Sequence, residues 1–265
     1  MSVTRSRSAI ERRHESPTSV LQGDRWQPHP RAASLGPLIG WSGRTLIVRP
    51  RRTFEPGDSD AGKLGAVKAT RVSGATREER AKSFATLLSA FRADPVERWL
   101  YPGDEQYAQH FPQFLSAFGG EAFSHGTVWQ VDDFAGVALW FPPETEPDGE
   151  EVVRLLMTTV DPARHGDTMV ALEQMEAAHP RFPHWYLPWF GVDADVQGTG
   201  RGGRLMTACL GVVDKQALPA YLETPNPRTI PFYERHGFRV TGSTVTEACP
   251  AITFMLRQPA TPHQS

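Results

Sequence analysis

The stretch D195-V-Q-G-T-G-R-G-G-R-L-M206 sets four glycines and two arginines between an apolar, aromatic-rich segment and a run of helical periodicity. Gly198, Gly200 and Gly203 satisfy the spacing G-x-G-x-x-G, a pattern associated with dinucleotide binding. Glycines at a strand-to-helix turn let backbone N–H groups point inward with no Cβ in the way, and the helix that follows offers its positive dipole end. Arg201 and Arg204 oppose that dipole, typically by about 0.3–1 kcal/mol each, so their placement makes more sense if an anion binds between them. These local features predict a phosphate site. The alternative is a solvated turn whose arginines face water.

A nicotinamide dinucleotide meets part of the pattern, because Glu223 stands about 20 positions on, where a Rossmann unit places its acidic residue. Two features oppose it. Asp193 to Gln197 separate the strand from the first glycine, and only 62 residues follow Gly203, too few for a doubly wound sheet. No Lys-Ser/Thr follows the glycines, which excludes a P-loop.

The surrounding chain has 265 residues, net charge −2 and 39% hydrophobic residues, with no excess of base that would suggest nucleic acid. No apolar run approaches the roughly 20 residues that span a bilayer. Cys209 and Cys249 form no Cys-x-x-Cys pair, which argues against a zinc ribbon or a thioredoxin-like site. Two reduced, mostly buried thiols in a cytoplasmic protein are expected, a single disulfide being the alternative.

Residues 1–65 are rich in Arg, Ser, Pro and Gly and poor in apolar periodicity, so a disordered extension is expected there. Their Arg- and Ser-rich character resembles a transit peptide, although Glu11, Glu15 and Asp24 count against it. A nucleic-acid-binding arm is conceivable from charge but has few aromatics for stacking, and a non-functional extension is the favoured reading. No secretory core lies near Met1, so export is not expected. Residues 259–265 are expected to form a disordered tail.

Residues 66–258 read as one α/β domain. A66-V-K-A-T-R-V72 alternates as a half-buried strand. Thr76 and Glu79 form a capping-box start for an amphipathic helix over 78–93, and a second helix spans 105–118 before Gly119-Gly120. T127-V-W-Q-V131 and V137-A-L-W-F141 make a hairpin, and helical segments follow around 152–157 and 168–178. W185-Y-L-P-W-F-G-V192 is a buried strand that Pro188 should bulge or leave unpaired on one side. Then come a helix from Gly202 to about Lys215, a strand 220–223, a helix ending at His236-Gly237, and strands near 238–241 and 251–256.

This order of elements, with Q197-G-T-G-R-G202 and N226-P-R-T-I-P-F-Y-E-R-H-G-F238, resembles the GNAT superfamily of N-acetyltransferases. From about Val67 to Arg257 the chain is similar to the branch containing puromycin N-acetyltransferase. The likeness runs through G126-T-V-W-Q-V-D-D133, W185-Y-L to G191-V-D193, and Pro219-Ala-Tyr-Leu-Glu-Thr-Pro225 to F232-Y-E-R-H-G-F238. The resemblance implies a mixed α/β sheet whose central strands, 185–192 and 220–223, splay around acetyl-CoA. It assigns the pantetheine arm to backbone groups of Phe190 and Val192, with Asn226 touching it. The pyrophosphate falls to the motif residue Gln197 and the N–H groups of Gly198, Thr199, Gly200, Arg201, Gly202 and Gly203.

The implied chemistry is attack of a neutral amine on a thioester. Tyr233 matches the family tyrosine beside the sulfur, where a protonated phenol can donate to the leaving thiolate; otherwise it is a packing residue. Glu223 is the best candidate for the base, with a capping or surface carboxylate as the alternative; His184 or a water chain could serve instead. Trp99 and Tyr101 either line the acceptor pocket or belong to the core, as does Tyr107. Asp104 and Glu105 either attract a cationic amine or cap the second helix. H179-P-R-F-P-H184 lacks a helical face and a third ligand, so no metal is expected. The implied activity is direct acetyl transfer to a small-molecule amine by a monomer or homodimer, without nucleic acid or membrane. A non-catalytic acyl-CoA-binding module and an NAD-dependent oxidoreductase are the alternatives.

Overall fold

The protein is described by a computed structural model covering residues 69–72 and 75–259, within the unit Ile39–Ser265. The expected extension 1–65 lies outside the described residues, as do 66–68 of the first expected strand and the tail beyond Pro259.

Strand β1 (Thr70–Val72) precedes four helices, α1 (Arg77–Ala90), α2 (Pro95–Leu100), α3 (Asp104–Gly119) and α4 (Glu121–Ser124). The hairpin of β2 (Val128–Val131) and β3 (Gly136–Phe141) leads into α5 (Gly149–Thr159) and α6 (His165–Ala178). Then follow β4 (Trp185–Val192), α7 (Arg201–Val213), β5 (Ala220–Thr224), α8 (Ile230–Arg235), β6 (Arg239–Ser243) and β7 (Thr253–Arg257). The strands form one sheet in the order β1-β2-β3-β4-β5-β7-β6, and every neighbouring pair is antiparallel except β4 with β5.

Local signals set several boundaries. The Thr76 hydroxyl accepts from Glu79 N–H at 3.2 Å while Glu79 Oε2 accepts from Thr76 N–H at 2.8 Å, the reciprocal capping box that starts α1. The helix expected over 78–93 ends earlier, at Ala90, because Asp94 and Pro95 begin α2. Asp94 Oδ1 accepts from Val96 and Glu97 N–H at 3.0 and 3.3 Å, and Pro95 supplies a first helical residue with no N–H to leave unpaired.

Side-chain alternation divides the core between the two sheet faces. Val137, Leu139 and Phe141 of β3 pack with α1–α3 and α5, whereas Ala138 and Trp140 pack with α7. On β4, Trp185 and Leu187 face α7 and Tyr186 faces the opposite side, yet Trp189 also lies on the Tyr186 side. The parity changes because β4 is bulged: Leu139 pairs with Trp189 but Phe141 pairs with Tyr186, so Leu187 and Pro188 together oppose one residue of β3. Proline at this position fits, because it has no N–H to give to a ladder.

Trp189 is held among the rings of Phe91, Phe111, Phe114 and Phe118, with centroids 5.2–5.8 Å away. Gly119 closes α3 against it: a Cβ there would stand 2.2 Å from Trp189 Cδ1 and 3.1 Å from Leu139 Cδ2. Gly119→Ala is therefore expected to destabilise by roughly 1–3 kcal/mol, several degrees of Tm. Gly166→Ala in α6, where a Cβ would meet nothing within 4 Å, should leave the thermal midpoint unchanged or raise it. Equal melting of both variants with the parent would refute this account of Gly119. Among the described residues no helix is long and apolar enough to cross a membrane, and Cys209 and Cys249 are both free, buried thiols.

Candidate active site

β4 and β5 pair only through Trp185–Ala220, Tyr186–Tyr221 and Leu187–Leu222. Beyond the bulge at Pro188 they part, and β4 continues to Val192 beside β3 alone. Asp193 N–H donates to Ala135 carbonyl oxygen directly across the β3–β4 ladder at 2.9 Å. Antiparallel bonding alternates, so Gly191 and Trp189 also bond to β3, while Phe190 and Val192 turn their N–H and C=O groups toward the gap. Val192 carbonyl oxygen accepts from Gln197 Nε2 at 3.0 Å, which ties the strand end to the glycine loop.

That loop turns into α7 through Gly198 and Gly200, whose φ angles of 76° and 84° belong to the left-handed region where a Cβ is penalised. The first turn of α7 leaves its N–H groups without intrahelical acceptors, as every helix start does. Gln197, Gly198, Gly200, Arg201, Gly202 and Gly203 line one end of a cavity of about 790 Å³; Thr199 does not, and its hydroxyl donates to Val196 carbonyl oxygen. The two arginines are not free in water. Asp132, in the β2–β3 turn, lies 2.7 Å from Arg201 Nε and 3.1 Å from Arg204 Nη2. Their positive charge is thus shared with a carboxylate about 70 positions away, a pairing that no local reading of the loop reveals.

Tyr233 enters the same cavity from α8 and is 7% exposed. Phe238 N–H donates to Tyr233 carbonyl oxygen and Gly237 N–H to Glu234, with Gly237 at φ 88°. This Schellman ending fixes the helix turn that carries the ring, and the Phe238 ring packs edge-on to it at 6.0 Å. Phe190 and Phe232 complete its surroundings. Burial, aided by the negative charge of Asp94, pushes the phenol well above its ordinary pKa, so it stays protonated.

Glu223 lies across the gap on β5, on the face of Tyr186 and Tyr221. Both phenols donate to it, Tyr186 to Oε2 at 2.7 Å and Tyr221 to Oε1 at 3.1 Å. Burial raises its pKa to about 7 and outweighs the opposite pull of those two hydrogen bonds. A carboxyl group poised there can take up or release a proton near neutrality.

The other candidates divide. Asn226 lines the cavity, but its Oδ1 accepts from Arg228 N–H at 3.1 Å and caps a short turn. Trp99 lines the cavity and carries the Arg164 guanidinium 5.8 Å from its ring centroid. Tyr101 is not a lining residue: it is fully buried, and its hydroxyl pairs with Thr159 Oγ1 at 2.9 Å. Tyr107 is likewise core, donating to Leu88 carbonyl oxygen at 2.8 Å. Asp104 and Glu105 are exposed in the first turn of α3, and Asp104 pairs with Arg98 at 2.8 Å. His184 and His179 meet at 3.1 Å between their Nε2 atoms, beside Tyr221 and outside the cavity lining. Among the described residues no group of three or more His, Cys, Asp or Glu is arranged to hold a metal ion.

Two site residues escaped the sequence reading. Asp94 and Glu97, 5% and 3% exposed, line the cavity at α2. The signal is the Asp94-Pro95 pair that starts this helix, directly after the helix expected over 78–93.

The acetyltransferase (GNAT) domain family matches residues 156–240, from the end of α5 to β6. An uncharacterized N-acetyltransferase of Schizosaccharomyces pombe is 26% identical over 197 residues, covering 68% of this chain and 80% of the relative. Among solved structures, arylalkylamine N-acetyltransferase 2 from Aedes aegypti superposes with a TM-score of 0.51 at 13% identity, over 73% of this chain and 99% of that one. The C-terminal condensation domain of Ebony in complex with beta-alanyl-dopamine gives 0.50 at 13% identity, over 72% and 96%.

Proposed function

We propose that this chain, an acyltransferase of the GNAT superfamily, moves an acetyl group from acetyl-CoA to a primary amine of a small molecule by direct transfer. The observation that carries this reading is one cavity in which the widened β4–β5 gap lies between the glycine loop, Tyr233 and Glu223. The fit to acetyl-CoA is chemical: N–H groups and Arg201 suit a pyrophosphate, and the inward backbone groups of Phe190 and Val192 suit an amide-bearing arm. Gln197 braces the loop, and a contact from Asn226 falls to its Nδ2, since Oδ1 is engaged.

Acetyl-CoA supplies the activated acyl group; a C–N bond forms and the C–S bond breaks. Glu223, as carboxylate, accepts the proton that the ammonium must lose before attack, with Tyr186 and Tyr221 holding the carboxylate in place. Tyr233 donates its phenolic proton to the leaving sulfur. In this reading the catalytic domain is residues 66–258, and its likeness to the puromycin N-acetyltransferase branch through residues 126–133, 185–193 and 219–238 supports acetyl transfer. Acceptors of this class are arylalkylamines for the Aedes aegypti protein, by its name. A cytoplasmic setting fits the two free, buried thiols, and the chain is taken to act as a monomer or homodimer.

Thermal shift with acetyl-CoA and with NAD, followed by a thiol-release assay over a panel of amines, tests the proposal. Acetyl-CoA should raise the midpoint and at least one amine should release thiol. Stabilisation by NAD alone would sink the reading, and acetyl-CoA binding without turnover of any amine would favour a non-catalytic binding module. Arg201→Ala with Arg204→Ala should weaken acetyl-CoA binding by about tenfold or more and flatten its salt dependence, read by calorimetry.

A further inference from the structure

Away from the glycine loop the cavity is walled by Phe91, Trp99, Phe114, Phe118 and Met175, and its charged groups there are Asp94 and Glu97. Their environment is unusual for carboxylates. Asp94 Oδ1 is used in capping α2, but Glu97 does not reach back to complete a capping box. Asp94 N–H instead donates to Phe91 carbonyl oxygen at 2.9 Å. Glu97 Oε2 is buried without any hydrogen-bond partner.

Among the described residues no cation pairs with Glu97. Arg98, the neighbour of Glu97, turns outward to Asp104 and to Pro102 carbonyl oxygen, with its guanidinium over the Tyr107 ring. The basic side chains that line the cavity, Arg201, Arg228, Arg235 and His236, belong to the glycine loop and the segment around α8. The remaining titratable neighbours, Tyr101, Tyr107, Tyr233 and Cys249, are all held neutral by burial. Burial, with the negative charge of Asp94 beside it, raises the Glu97 pKa well above the ordinary carboxylate range. The protein alone therefore favours its neutral acid, and a bound cation would favour the ionised form. A buried carboxyl oxygen with no partner is costly, and a hydrophobic residue would ordinarily pack there more stably. Aromatic rings beside it add the π-faces that attract a desolvated cation.

We propose that the acceptor is a dication: one amine faces Glu223 and Tyr233, while a second, non-reacting cationic group seats against Glu97 and Asp94 between the aromatic walls. This deepens the acetyl-transfer reading and, for turnover, rests on it. The second charge would bring to the site a counter-ion that the described residues do not supply, and it would fix which end of the acceptor reaches the thioester. Glu97 is then a specificity-determining residue rather than a catalytic one.

The probes are α,ω-diamines of graded length and the n-alkylamines matched to them, with arylalkylamines bearing one or two amino groups as a second pair of series. Each is assayed by thiol release and by calorimetric binding to the full chain. The parent protein should prefer the doubly charged member of the best-matched pair by about tenfold or more in kcat/KM. Glu97→Gln should bring that ratio toward one, and Glu97→Asp, which keeps the charge, should restore part of it. Glu105→Gln, on the exposed face of α3, serves as the surface control and should keep the parent ratio. A parent that favours monoamines, or a folded Glu97→Gln with the parent's ratio, would overturn the proposal. Diamine binding that depends on Glu97, without turnover of any amine, would uphold the cation site and remove the acetyl-transfer reading. Should Glu97→Gln fail to fold, the Glu97→Asp ratio and the parent's preference decide the matter.

Discussion

Tyr233→Phe is expected to lower kcat by about 100-fold or more, with little change in acetyl-CoA affinity. The magnitude is that of a positioned general acid, which contributes roughly 10²–10⁴. The variant isolates the proton because the ring remains. Phe190, Phe232 and Phe238 pack against the aromatic carbons of Tyr233, and its hydroxyl makes no hydrogen bond to another described residue. The fold should therefore lose nothing measurable in Tm, and the acetyl-CoA midpoint shift should persist. Substrates with a better leaving thiol need less help from an acid, so the deficit should shrink with an acyl donor whose thiol is more acidic. Full activity in Tyr233→Phe would remove the proposed acid. A deficit of equal size for every leaving group would make the hydroxyl a binding rather than a proton-donating group.

Glu223→Gln should cost a similar factor, about 10²-fold or more in kcat/KM, and should also change the shape of the pH profile. In the parent, kcat/KM should climb as pH rises toward about 7, because the base acts only when ionised and burial holds its pKa there. The amide has no proton to lose, so that rising limb should vanish. The same shift has a stability consequence with a definite sign. Protonated Glu223 is favoured in the folded state, so its contribution is fully present below the unfolded pKa near 4.5 and is lost as pH rises through about 7. The parent should thus forfeit up to about 3 kcal/mol from this group between those limits, a loss that Glu223→Gln should not show in denaturant melts across the range. Retention of the rising limb in Glu223→Gln would assign it to another group, the acceptor amine being the first to examine.

Much of this was legible in the residues, for reasons that differ from element to element. Thr76 and Glu79 announce the start of α1 because a capping box is a contact within four residues. Gly237 announces the end of α8 because a left-handed turn there strongly favours glycine. Pro188 foretells the bulge in β4, since no other residue type lacks an N–H. Helix α2 is not among the expected elements although Asp94-Pro95 is a strong start signal, because its six residues are too few to show an apolar period. With that helix unrecognised, no face could be assigned to its residues. Trp99 and Tyr101 look equivalent in sequence, yet two positions along a helix end they point to the cavity and into the core. Asp104 and Glu105, read as attracting an amine or capping the second helix, face water and Arg98, whereas Asp94 and Glu97 line the cavity.

The sequence by itself determined the glycine turn with its left-handed positions, the tyrosine on α8, and the order of the strands along the chain. Each of these depends on steric or hydrogen-bonding constraints between near neighbours. Only the tertiary structure decided that β4 and β5 part beyond Leu187 and Leu222, that Asp132 holds Arg201 and Arg204, and that Tyr186 and Tyr221 both bind Glu223. It also decided that Glu97 is buried with Oε2 lacking a hydrogen-bond partner among the described residues. These are matters of solvent exclusion and of charges brought together across the sheet. The free energy of a carboxylate depends on which groups and how much water surround it, and residue order along the chain does not specify either.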